Sequence, residues 1–86
     1  MANIIVEHRW KNHANEEVKK TIAGIIQMAN DGKLPEGFQL KSINVLDSEL
    51  KAICNWEAPS INSMKEFLEK LNPPTKHEIM EAQKAY

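Results

Sequence analysis

The sequence predicts an α+β sandwich of order β-α-β-β-α-β, in which four antiparallel strands carry two helices on one face. Three observations carry this prediction. The stretch from Lys51 to Leu68, KAICNWEAPSINSMKEFL, reads as a buried strand, a sharp turn and an amphipathic helix. A strand-helix-strand set precedes it, and after Pro73-Pro74 there is room for one more strand. The apolar period changes from two to about 3.6 residues across Pro59, as it must where a strand gives way to a helix.

The first strand is expected over Asn3 to Trp10. Ile4, Val6, His8 and Trp10 share one face, and Ile5, Glu7 and Arg9 share the other. Ile4-Ile5-Val6 is apolar on both faces, which marks a central strand covered on both sides. Lys11 to Ala14 reads as a polar loop. Asn15 suits a helix N-cap, and Glu16 and Glu17 suit the positive end of the helix dipole. Val18, Ile22, Ile25, Ile26 and Ala29 mark the apolar stripe of the first helix, and Asn30-Asp31-Gly32 supplies a left-handed stop.

Pro35-Glu36-Gly37 is a turn into a second strand, Phe38 to Leu46, whose alternation is weak. Asp47-Ser48-Glu49 turns the chain into the third strand, and the two strands pair as a hairpin. In the third strand Ala52, Cys54 and Trp56 face one way, and Ile53, Asn55 and Glu57 the other. Pro59 stops it, since proline has no N–H for a ladder. Ser60 caps a second helix with the stripe Ile61, Met64, Phe67, Leu68 and Leu71. Asn72 ends that helix because the residue before a proline is pushed out of the α region. Lys76 to Lys84 has helix-forming composition, but its alternation and the need to complete the sheet favour a fourth strand. With right-handed crossovers the strands order 4-1-3-2 in a ferredoxin-like sandwich, a single domain over residues 1–86.

Composition bounds function more than it specifies it. The 11 basic and 12 acidic residues leave a net charge of −1, with no basic field for nucleic acid and no basic amphipathic helix for a membrane. Ile4-Ile5-Val6 is too short for a signal peptide or a span. One cysteine excludes an intrachain disulfide framework and fits a reducing compartment, so a cytoplasmic location is expected. A chain this short buries roughly 60–65% of its unfolded surface, and a partner subunit would enlarge that small core. A homodimer through the open sheet face is expected, because Ile5 and Ile53 would otherwise leave apolar surface wet.

The pairing of IIVEHRW with KAICNWEAPSINSMKEFLEKLNPP resembles small domains of the dimeric α/β-barrel superfamily. Two groups are similar. In one, a VER-aromatic first strand and a YCVYEAP-like third strand precede a helix cap, and members have been described as nickel-binding. In the other, a PEG turn leads into the second strand, as LPEGFQL does here. Glu7, Cys54 and Glu57 match the glutamate, the cysteine and the EAP glutamate of the first pattern, whereas His8 stands where arginine is usual and Trp56 replaces a tyrosine. The resemblance implies a dimer and leaves the reaction open, since the superfamily also holds monooxygenases, isomerases and haem enzymes.

Candidate chemistry follows from the faces. Burying Glu7, Arg9 and Glu57 under the helices would cost several kcal/mol each, so those residues and Asn55 are assigned to the open face, as the floor of a ligand pocket between two sheets. Such a cluster is an interfacial Glu–Arg network, a cation site, or a carboxylate poised as a base. Glu7, His8, Glu57 and His77 are the candidate metal ligands, for nickel or another divalent transition metal, although no short-range ligand spacing unites them. Cys54 reads as core, Trp10 and Trp56 as core or interface, His13 as a loop residue, and Gly24, Gly32 and Gly37 are too scattered for a phosphate loop. Three functions remain: a dimeric binding protein for a metal ion or small ligand, a cofactor-independent monooxygenase or isomerase, and a structural dimerisation module.

Overall fold

Alternation builds the sheet, helical periodicity covers one side of it, and the order of elements is β-α-β-β-α-β. The computed structural model describes residues 1–11, 16–83 and 85. The strands are β1 (Ala2–Arg9), β2 (Gln39–Leu46), β3 (Lys51–Ala58) and β4 (Lys76–Ala82), and the helices are α1 (Glu16–Asn30) and α2 (Ile61–Leu71). All neighbouring strands are antiparallel in the order β2-β3-β1-β4, the ferredoxin-like arrangement expected from the sequence. No helix among the described residues is long and apolar enough to cross a membrane.

The central strands behave as their alternation requires. Ile4, Val6 and His8 of β1 and Ala52, Cys54, Trp56 and Ala58 of β3 are buried beneath the helices, while every second residue between them is at most half-buried. Met64, Phe67 and Leu68 of α2 and Ile25 of α1 close the core over them. Three aromatic rings meet there: Phe67 lies 5.2 Å from Phe38 and 5.7 Å from Trp56, centroid to centroid. Such tilted contacts each add roughly 0.5–1.5 kcal/mol beyond area burial.

The helix ends follow from local chemistry. Ser60 Oγ accepts the Ser63 N–H at 3.0 Å, which satisfies one orphan donor of α2. Asn72 ends α2 as expected, but by another route: it takes a left-handed conformation (φ 48°) and donates its N–H to Leu68 O. Asparagine tolerates that region, so the following proline is not the sole cause. After α1, Gly32 (φ 66°) donates to Ala29 O and Lys33 to Met28 O, a Schellman closure. The Asn15 cap and the loop residues 12–14, His13 included, lie outside the described residues, as does Lys84.

Several boundaries shift. β1 ends at Arg9 rather than Trp10, whose N–H instead reaches Leu50 O at 3.1 Å. The Asp47–Glu49 turn is a short 3-10 helix, closed by Leu50 at φ 54°. The weak alternation of β2 has a structural cause: the register shifts between Leu40 and Ser42, so Lys41 is an extra residue in a β-bulge. On α1 only Val18 and Ile25 are fully buried, and Ile26 stays 42% exposed because it lies 100° round the helix from Ile25. At the Pro35-Glu36-Gly37 turn, Gly37 has φ 85°, and a Cβ there would stand 2.9 Å from Pro59 Cγ. The PEG turn and the end of β3 are therefore packed directly together.

Candidate functional site

Register decides which side chains share a height on the sheet. On the open face four rungs run across β2, β3, β1 and β4. They are Gln39–Glu57–Asn3–Ala82, Ser42–Asn55–Ile5–Met80, Asn44–Ile53–Glu7–Glu78 and Leu46–Lys51–Arg9–Lys76. Glu7, Arg9, Asn55 and Glu57 all lie on this face, as parity demanded. They do not form one cluster. Glu57 stands opposite Asn3, four residues along β1 from Glu7, which is roughly 13 Å of strand. The two glutamates therefore do not meet within the chain.

Each of these groups has its own partner. Arg9 Nε donates to Glu7 Oε1, Lys41 Nζ lies 3.2 Å from Glu57 Oε1, and Asn55 Nδ2 donates to Ser42 Oγ at 2.9 Å. The Glu7 side chain is only 17% exposed, walled by its neighbours on the sheet. Its like-charged neighbour is Glu78, directly opposite on β4. Directly opposed like charges destabilise a sheet pair, and the Arg9 guanidinium offsets this. Glu78 and Lys41 were not identified from the sequence; β4 register and the β2 bulge place them.

His8 and His77 occupy the other face. His8 and His77 are register partners on the helix side, with ring centroids 6.0 Å apart. His8 is 7% exposed, and its Nδ1 lies 3.0 Å from Thr75 Oγ1. Burial, and then the neighbouring His77, push the His8 pKa down from 6.5 to about 4, so the ring is neutral at physiological pH. The sheet thus separates His8 and His77 from Glu7 and Glu57. The four expected metal ligands do not converge, and no group of three or more His, Cys, Asp or Glu among the described residues is placed to hold a metal ion.

Under α1 the helix side holds a slot. Its floor is Ala52 and Cys54, two small side chains set between Ile43 on one strand and His8 on another. Val18, Ile22 and Ile25 form the roof, and Trp10, Pro73 and Thr75 stand at the end. The space is small, with room for about one water molecule. All the surface that the slot presents is apolar; His8 Nδ1 lies 3.0 Å from Thr75 Oγ1, and Thr21 Oγ1 donates to Glu17 O. Burial raises the Cys54 thiol to about 11, so it is a neutral, unreactive part of that floor. Trp56 is core as expected, though its indole N–H is buried with no hydrogen-bond partner among the described residues. Phe67 and Phe38 stand nearly edge-on to that ring, at 67° and 81°.

Comparison with protein-family models, with curated proteins and with solved structures finds no significant match.

Proposed function

We propose that the protein is a small homodimeric binding protein in which the open sheet faces of two copies meet and enclose a site for a small ligand. The observation that carries this reading is the composition of that face. Ile5, Ile53 and Met80 occupy the two central rungs, among Ser42, Asn44, Asn55, Glu7 and Glu78. Three large apolar side chains on an uncovered sheet face favour a second layer over them. Charge favours one arrangement of the two copies. The end rung carries Lys51, Arg9 and Lys76, and a two-fold axis running across the strands sets it against the Glu57 rung of the other copy. An axis along the strands would set cation against cation.

Light scattering tests the pairing. The 9.8 kDa chain should run at twice that mass at micromolar concentration, and Ile53→Lys should halve it without unfolding the protein. A wild-type monomer refutes the reading. A metal version of the site, with nickel or zinc, needs ligands from both copies, because one protomer keeps its glutamates four residues apart. Glu57→Gln should then weaken calorimetric metal binding and leave the melt unchanged. No metal binding by the wild type removes that version and leaves the dimer standing. The structural-module reading also has an observation in its favour: Glu7, Asn55 and Glu57 already have partners. A dimer that binds neither metal nor organic ligand supports it.

A further inference from the structure

We propose that the hollow at the end of the sheet, where β1 leaves it and β4 enters it, is a site for a compact aromatic anion, an aryl phosphate or aryl carboxylate. Arg9, Lys11 and Lys76 hold the charge, and Trp10, Pro73 and Pro74 hold the ring. Trp10, Lys11 and the two prolines lie outside every strand, so the hollow is beyond the open face and does not rest on the pairing of two copies there.

Charge gathers here against the trend of the chain. The whole sequence is nearly neutral, with 11 basic and 12 acidic residues, yet three cations and no acid line the hollow. Strand register is the cause. Arg9 lies between Lys51 on β3 and Lys76 on β4, three cations in one rung. Like charges directly opposite each other destabilise a sheet. Two of the three are offset, because Glu7 pairs with Arg9 and Glu49 with Lys51. Lys76 has no ion pair among the described residues, and neither has Lys11. Arg9 meets Glu7 through Nε, which leaves its terminal nitrogens to donate elsewhere. A bound anion would remove the repulsion that the fold leaves uncompensated.

Shape and apolar surface select the rest of the ligand. The hollow holds about 540 Å³, within the range of small-molecule sites. Trp10, Pro73 and Thr75 line both this hollow and the slot under α1, so they form the wall between the two. Trp10 is half-buried, and its backbone N–H is tied to Leu50 O. Pro73 and Pro74 stiffen the backbone that leads into β4. Apolar surface is therefore held in place beside one guanidinium and two ammonium groups. The planar guanidinium fork matches the oxygens of a carboxylate or phosphate. A flat ring attached to that anion covers indole and proline surface that water otherwise wets. Thr75 Oγ1 is engaged with His8, so the cations carry the recognition.

The test uses the full chain with phenyl phosphate, benzoate, phenol and inorganic phosphate as probes, each followed by NMR. Phenyl phosphate and benzoate should saturably shift the Trp10 indole and the amides of Arg9, Lys11 and Lys76, and leave the Trp56 indole unmoved. Their binding should weaken as salt rises from about 0.05 to 0.3 M. Phenol lacks the charge and inorganic phosphate lacks the ring, so each should bind several-fold more weakly. Lys76→Gln should weaken phenyl phosphate roughly threefold, and the double variant with Lys11→Gln roughly tenfold. Lys76→Gln should not lower the melt, because it takes a like charge out of the rung. Absence of saturable shifts at millimolar phenyl phosphate overturns the proposal, and so does phenol or inorganic phosphate binding as tightly. Shifts at Lys19, Lys65 and Lys70 as large as those at Lys11 and Lys76 also overturn it, since they mark an anion spread over the surface. Binding that survives in Ile53→Lys places the site on one chain, and loss of binding in that variant refutes this placement.

Discussion

Lowering the pH from 7 to 5 should destabilise this protein through His8. In the folded chain its pKa is held at about 4, against 6.5 for an unburied imidazole. The unfolded chain therefore binds the proton first as pH falls. The His8 contribution is complete above about pH 6.5 and is lost progressively down to about pH 4. The full shift corresponds to about 3 kcal/mol, at 1.36 kcal/mol per pKa unit. Between pH 7 and pH 5 the loss should be roughly 1–2 kcal/mol, allowing for screening where the ring faces the exposed His77. That is a large part of the stability of a small domain, typically 5–15 kcal/mol. No carboxylate forms an ion pair with His8 among the described residues to hold the charged form. Urea unfolding at pH 7, 6 and 5 measures the loss, with His8→Gln as the reference, since both chains retain every other titrating group. The quantity compared is the slope with pH and not the absolute stability. Equal slopes in the two chains, within about 0.5 kcal/mol, would refute the reasoning. An NMR titration of the His8 ring gives the mechanism: His77→Gln should raise its midpoint, which still stays below 6.5 because burial is the larger cause.

Two further outcomes test the packing. Phe67→Ala should cost about 3–5 kcal/mol in urea unfolding, since the ring is buried against Trp56 and Phe38, and a loss below about 1 kcal/mol would put the α2 register in error. Gly37→Ala should lower the melt clearly, because it combines φ 85° with a Cβ only 2.9 Å from Pro59 Cγ, and an unchanged melt means that the turn and β3 are not packed together.

Much of the architecture was legible because its signals are local. Alternation placed Ile4, Val6, Cys54 and Trp56 beneath the helices, and Ser60 and the double proline bounded α2. Rungs were not legible. A period of two is unchanged when a strand slides by two residues, so parity fixes a face and leaves height along it open. That is why Glu7 was expected near Glu57 or Asn55, whereas its rung contains Ile53 and Glu78. The β2 bulge left only a weakened pattern in the sequence, and the Lys41–Glu57 pair follows from it. The slot left no pattern at all, because it comes from two short side chains meeting the pitch of a helix that is distant in sequence.

The same parity that hides rungs imposes a chemical division. Residues of β1 alternate Ile5, Glu7 and Arg9 on one face with Val6 and His8 on the other, and β3 alternates Ile53, Asn55 and Glu57 with Ala52, Cys54 and Trp56. On these two strands soft donors thus lie with the apolar core, and hard charged groups lie on the open side. A site using imidazole or thiolate must form under the helices, where His8 is neutral and the walls are apolar. Glu7, Glu57 and Glu78 lie on the open face, where Arg9 pairs with Glu7 and Lys41 with Glu57, and Glu81 shares the helix-side parity of His77. One ion cannot draw on both faces of the same sheet. Metal binding on the open face of the proposed dimer should therefore respond to Glu57→Gln.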